Sequence, residues 1–216
     1  MILSPGRGYV FVHAPKTGGT AMALALEARA MADDILIGDT PKAVRRRTRL
    51  KGARTAGRLW KHSALADVRG LIPDADLDRL TPVMLVRNPW DRMVSYYHWL
   101  KVQAFDNAAV SLSKSLSFGD FVAHPAIGDS FRRNPYASYV AGGATPIFIR
   151  LEHLDSDLTP FTDLLGFDLD LPRANASSRA RDWRGYYDGP TRDRVAEICA
   201  EDVSAFLYRF DPHDSA

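Results

Sequence analysis

The stretch VFVHAPKTGGTAMALALE, Val10 to Glu27, decides the fold. It opens as an apolar run, breaks at Pro15, passes through Lys16-Thr17-Gly18-Gly19-Thr20, and continues as an alanine-rich, helix-favouring segment. A strand, a glycine-containing turn and a helix in that order make an anion-binding geometry. The first amides of a helix have no intrahelical partner, and the helix dipole adds partial positive charge there. Gly18 and Gly19 permit a tight turn and close approach of backbone to ligand. Thr20 is placed to cap the helix and to donate to an oxygen.

This is not the ATP-type phosphate loop, in which the lysine follows the glycines. Here Lys16 precedes them. No apolar run ends in a metal-binding aspartate either: PVMLVR (82–87) ends in Arg87, and PIFIRL (146–151) carries Arg150 at the same relative place. Arginines there point to protein cations, rather than a metal ion, as the counter-charge of a bound anion.

Outward from the loop, GYVFVHA (8–14), PVMLVR and PIFIRL read as strands, each followed by a helix-compatible segment. That alternation predicts an α/β, P-loop-like three-layer fold, a central parallel sheet flanked by helices. The strands are apolar almost throughout, which fits burial on both faces. Asn88-Pro89 supplies an N-cap and a first-turn proline before WDRMVSYYHWL, and Asp188-Gly189-Pro190 does the same before TRDRVAEICAEDVSAFLYRF. In the latter, Val195, Ile198, Val203, Phe206, Leu207 and Phe210 approximate one apolar face of a closing helix. DSDLTPFTDLLGF (155–167) predicts a short helix ended by Gly166, with Pro160 as a candidate break. Segments 38–60 and 103–145 lack a clear period and are expected to be loops or lids flanking the active site.

The length of 216 residues suggests a single domain over 1–216, and 46% hydrophobic content supplies its core. The one cysteine, Cys199, excludes an intrachain disulfide and reads as a core residue. No charged segment followed by a long apolar run opens the chain, and nothing approaches the ~20 apolar residues of a membrane span. The expectation is a cytoplasmic protein. Net charge is only +2, yet Thr40 to Ala66 holds no acidic residue and carries Lys42, Arg45, Arg46, Arg47, Arg49, Lys51, Arg54, Arg58 and Lys61. Such a run is either a solvated basic face or a surface for an anionic partner.

The loop FVHAPKTGGT resembles the 5′-phosphosulfate loop of the sulfotransferases, specifically the carbohydrate type that includes heparan and dermatan sulfotransferases and bacterial relatives. VRNPWDRMVSYY (86–97) resembles that family's 3′-phosphate motif. FIRLEHL (148–154) and YYDGPTRDRVAEICAEDVSAFLYRFD are similar to its members as well. The resemblance implies 3′-phosphoadenosine 5′-phosphosulfate (PAPS) as donor, 3′-phosphoadenosine 5′-phosphate (PAP) as product, and no required metal. Lys16, Thr17, Gly18, Gly19 and Thr20 would hold the 5′ end. Arg87 and Ser95 would hold the 3′-phosphate. Asp91 shares a helix face with Ser95 and reads as orienting Arg87 or Arg92, or as a helix cap; Trp90, Val94 and Tyr97 read as core.

The implied reaction moves a sulfuryl group to an acceptor hydroxyl of a carbohydrate or glycoconjugate. Lys16 would meet the charge developing on the bridging oxygen. His62 is the catalytic base that the resemblance implies, with Lys61 beside it to meet an anionic acceptor or to favour the neutral imidazole. His13 reads as structural or orienting, His98 as packed, His124 and His213 as exposed, and His153 as a capping or hydrogen-bonding residue. Asn175, Arg181, Arg184, Tyr186 and Tyr187 belong either to a nucleotide contact or to an ordinary surface loop with buried tyrosines. The competing readings are a kinase-like phosphotransferase on a P-loop fold and a polyanion- or nucleic-acid-binding module built on residues 42–61. The expected partner is a small-molecule or glycan acceptor, not nucleic acid.

Overall fold

A computed structural model of the chain describes residues 1–172 and 182–211. In chain order its elements are β1 (Ile2–Ser4), β2 (Tyr9–Val12), α1 (Gly19–Ala28), β3 (Ile35–Leu36), α2 (Pro41–Arg46), α3 (Asp74–Leu77), β4 (Thr81–Val86), α4 (Pro89–Lys101), α5 (Ala108–Ser115), α6 (Phe118–Ala123), α7 (Pro125–Arg133), α8 (Tyr136–Tyr139), β5 (Ile147–Arg150), α9 (Leu154–Asp157), α10 (Thr159–Leu165), α11 (Gly189–Ile198) and α12 (Ala200–Phe206), with short 3-10 turns between some of them. They fall into two compact units. One comprises Met1–Val86 with Tyr136–Asn175, the other Arg87–Pro135 with Ala176–Ala216.

The first unit holds the whole sheet, in the order β3-β1-β2-β4-β5. The three strands read from the sequence, β2, β4 and β5, are mutually parallel and form its centre and one edge. β1 and β3 extend it on the other side, and β1 runs antiparallel to both of its neighbours. Its direction follows from its connection. Pro5–Arg7 forms one 3-10 turn, and Gly8 closes it at φ +72°. A link that short permits only an antiparallel pair.

The apolar runs are continuous because both sheet faces are covered. Tyr9 and Phe11 of β2, Val83 and Leu85 of β4, and Ile149 of β5 pack with Met22, Ala23 and Leu26 of α1, Ala43 of α2, and Phe161 and Leu165 of α10. The alternate positions Val10, Val12, Met84 and Val86 are fully buried as well. Phe161 meets Tyr9 edge-on at 5.3 Å. The expected helix over 155–167 is two short ones: Pro160 opens α10 rather than breaking it, and Gly166 ends it at φ +73°.

In the second unit α4 begins where Asn88-Pro89 places it, with the Asn88 side chain accepting from the Trp90 amide. α11 begins with a capping box between Asp188 and Thr191. The closing segment is not one helix, however. The backbone leaves the helix at Cys199 (φ −116°, ψ 25°) and restarts as α12. The break resets the helical phase, so the predicted apolar face does not continue. Val195 and Ile198 are buried, whereas Leu207 is 82% exposed. Cys199 is core as expected, and burial pushes its thiol up to about 12. Segment 103–145 is largely helical, and its polar residues are caps: Asn107, Ser117 and His124 each accept from an amide at a helix start.

Phe161→Ala removes the largest α10 side chain from the core and should cost about 3–5 kcal/mol. The measurement is the urea midpoint at unchanged slope. A loss below about 1 kcal/mol would mean that α10 is not needed to cover the sheet.

Candidate functional site

At the end of β2 the chain runs through His13 and Ala14, both buried, into the anion loop. Lys16 adopts φ +68° and Gly18 φ +82°, so the turn uses two left-handed residues, only one of them glycine. The N-cap of α1 is Gly18, without a side-chain cap. Thr20 therefore stands inside the helix, not at its cap, which corrects the sequence expectation. Thr17 is fully buried and its hydroxyl donates to the Ala14 carbonyl at 2.9 Å, closing the turn. Among the described residues no group accepts from the amides of Thr17 or Gly18. The first unit thus presents unpaired donors at a helix start, beside a lysine.

Two histidines of this unit, His13 and His62, meet at the loop. The His13 ring lies flush on Gly19: a methyl group there would stand 2.1 Å from His13 Cδ2. The His13 carbonyl receives His62 Nδ1 at 2.8 Å, and the two rings meet edge to face with centroids 4.6 Å apart. A carbonyl only accepts, so Nδ1 carries the proton and Nε2 keeps its lone pair. His62 is held as a neutral imidazole in one tautomer. Burial is the main cause that lowers its pKa, to about 4; the Lys61 cation adds to the effect, and the bond to His13 opposes it. Lys61 itself is paired with Asp39 at 2.7 Å. His13 lies well below the ordinary histidine value, through burial first and then the neighbouring His62.

In the second unit Arg87 precedes α4, Asp91 lies in its first turn, and Ser95 follows four residues later. Arg87 donates from Nε (2.8 Å) and from a terminal nitrogen (2.6 Å) to one Asp91 oxygen. Asp91 thus orients Arg87, one of the roles expected for it. Ser95 is buried one turn further along. Trp90, Val94 and Tyr97 are core, as expected. Arg92 turns inward to Asp202 at 3.9 Å and the Phe131 ring at 5.1 Å. His98 is packed against Tyr186. Tyr187 donates to the Trp90 carbonyl at 2.8 Å and packs on Phe118 and Phe210, while Arg184 donates to the Phe210 carbonyl. Asn175, Arg181 and His213 lie outside the described residues.

Two further sequence expectations take on a different meaning. Arg150, at the end of β5, makes a two-pronged pair with Asp157 at 2.7 and 3.0 Å, which holds that carboxyl down at about 2. It is an ion-paired strand end. Within the basic run, Lys42 donates to the Glu27 carbonyl, Arg46 to Met31 and Asp34 carbonyls, and Arg49 to the Ala32 carbonyl. These cations serve the negative end of α1 and the turn after it. His153 is exposed, and His124 is a half-buried cap. The contact that sequence reasoning missed is Trp60, whose half-exposed indole stands edge to face with His62 at 5.0 Å. The signal was present in WKHS, two residues before the histidine.

Among the described residues no cluster of His, Cys, Asp or Glu could hold a metal ion, and no helix is long and apolar enough to cross a membrane. No protein-family model matches the chain, and no curated protein matches it. Among solved structures it is similar to mouse sulfotransferase SULT7A1 complexed with PAP, at 17% identity and a TM-score of 0.52, covering 91% of this chain and 84% of that one. The likeness shows a sulfotransferase fold.

Gly19→Ala should destabilise the protein by about 1–3 kcal/mol, because the His13 ring is buried and cannot yield. Adding His13→Ala should recover part of that loss in a double-mutant cycle of thermal midpoints; strict additivity would show that the ring does not set the glycine requirement. Stability should also fall with acid. An unfolded histidine titrates near about 6.5, and His62 in the fold at about 4. Between these values the unfolded chain binds a proton that the fold refuses. The stabilisation is therefore whole above pH ~6.5 and falls by on the order of 3 kcal/mol by pH ~4. Urea midpoints of His62→Gln should decline less over that window than those of the natural chain.

Proposed function

We propose that this chain is a PAPS-dependent sulfotransferase acting on an acceptor hydroxyl of carbohydrate type. One observation carries the reading. A cationic, amide-rich loop and a neutral histidine with a fixed tautomer are joined through His13 within one unit. The sulfotransferase fold agrees with it.

The loop fits the donor on its own chemistry. Its turn leaves amides unpaired, Gly18 and Gly19 keep side chains out of the approach, and Lys16 adds a full charge. Lys16, Thr17, Gly18, Gly19 and Thr20 are the proposed 5′-end residues, Thr17 through its amide because its hydroxyl is engaged. Arg87 and Ser95 are the proposed 3′-phosphate residues, with Asp91 holding the guanidinium in place. Bound PAPS supplies a sulfuryl group whose sulfur–oxygen bond to the 5′-phosphate breaks as the acceptor oxygen bonds to sulfur. Lys16 stabilises the charge left on the phosphate oxygen. His62 takes the acceptor proton at Nε2 while Nδ1 stays bonded to the His13 carbonyl. The polyanion-module reading loses part of its support, since three cations of the run, Lys42, Arg46 and Arg49, are engaged with carbonyls of residues 27–34.

Calorimetric titration with PAP, with Mg-ATP in parallel, tests the donor class. PAP should bind at micromolar level without divalent metal and more tightly than ATP, and Lys16→Ala and Arg87→Ala should each weaken it. A clear preference for Mg-ATP would return the chain to the phosphotransferase reading. His62→Gln should keep PAP affinity while lowering kcat about 10²–10⁴-fold. Because an anion at the loop favours imidazolium, PAP should raise the His62 pKa from its value of about 4, read by NMR titration of the imidazole.

A further inference from the structure

Among the described residues, the rings that meet His62 are His13, which is buried, and Trp60, which reaches solvent. Phe11, His13, His62 and Trp60 form a stair of rings from the sheet core outward, with successive centroids 6.1, 4.6 and 5.0 Å apart. The first two rings are buried, and Trp60 is 43% exposed. Exposure here is not looseness. Ser63, fully buried, donates its hydroxyl to the Arg58 carbonyl at 2.7 Å and receives the Trp60 amide at 2.9 Å. The segment carrying the indole is a pinned turn. The Arg58 guanidinium lies over the indole, 5.7 Å from its centroid.

A large apolar ring left 43% exposed on a pinned turn, beside His62, forgoes the stabilisation that full burial would give. It has the character of a binding anchor, because aromatic anchors concentrate contact area at low conformational cost. Its surroundings select among ring-shaped ligands. The surroundings are polar and charged: Arg58 over the indole, and Lys61, next in the chain, paired with Asp39, their side chains 34% and 64% exposed. A phenol offers such a charged rim only one hydroxyl. A pyranose has an apolar C–H face for the indole and hydroxyls around its edge for the charged rim.

We propose that Trp60 is the acceptor platform: a pyranose ring lies on its indole, which presents a sugar hydroxyl to His62 Nε2. The assignment rests on the sulfotransferase reading for the identity of His62 as base. It concerns recognition of the acceptor, with Trp60 a specificity residue and not a catalytic one.

The test is calorimetric titration of the natural chain, Trp60→Ala and Trp60→Phe with cellotetraose, a chondroitin tetrasaccharide and 4-nitrophenol, each with and without PAP. PAP itself is titrated into all three proteins. The expected result is binding of at least one tetrasaccharide by the natural chain, a loss of about tenfold or more in Trp60→Ala, partial rescue in Trp60→Phe, and equal PAP affinity throughout. With a turned-over saccharide, KM should rise while kcat changes little. Undiminished saccharide affinity in Trp60→Ala overturns the assignment, as does binding of the phenol alone or of no saccharide. An equal loss of PAP affinity in Trp60→Ala also overturns it, by showing general disruption. Failure of the natural chain to bind PAP sinks the sulfotransferase reading instead, and the saccharide arms without PAP then still decide the role of Trp60.

Discussion

The first unit turns on the placement of one residue, His13. Its ring fills the space over Gly19 that any side chain would need, and its carbonyl takes the Nδ1 proton of His62. One residue at the end of β2 thereby fixes the start of α1, the conformation of the loop between them, and the tautomer of a histidine 49 positions later. The arrangement depends on burial. A solvated His13 would be free to turn away from the helix, and its carbonyl would have water to compete for the His62 proton. Buried, its ring sits against Gly19 and its carbonyl is engaged by His62.

The basic run shows why charge patterns in a sequence underdetermine function. Read linearly, residues 42–61 are a polycation. Folded, Lys42, Arg46 and Arg49 reach back to carbonyls at and beyond the end of α1, where unpaired oxygens and the negative end of the dipole attract cations. The partner of these three cations is the backbone, which carries no letter in the sequence. The same blindness applies to Arg150, whose partner Asp157 is only seven residues away yet is legible only once β5 and α9 have been folded together.

Legibility tracked how local the physics is. The β2–loop–α1 unit, β4, β5 and the caps at Asn88 and Asp188 all express themselves within a few neighbouring residues, and each was readable. β1 and β3 contain three and two residues, too few for a period. Their strand character comes from the sheet they join. The polar residues of 103–145 read as loop because Asn, Ser and Pro favour both turns and helix starts; in the fold they are mostly the latter. The break at Cys199 has no glycine or proline to announce it. Among the candidate residues, Lys16, Arg87 and Ser95 could be named from motifs, and His62 from the family resemblance. The tautomer of His62, the internal bond of Thr17 and the neighbouring Trp60 belong to tertiary geometry.

The backbone at Lys16 has a last consequence. A φ of +68° is glycine territory. A lysine there gives up about 1–2 kcal/mol of conformational energy, and glycine in its place would surrender about 0.5–1 kcal/mol of chain entropy. On backbone conformation alone, glycine is favoured at position 16. Backbone geometry and loop charge therefore favour different amino acids at the same position. A choice made for the backbone would remove the full charge that the loop carries.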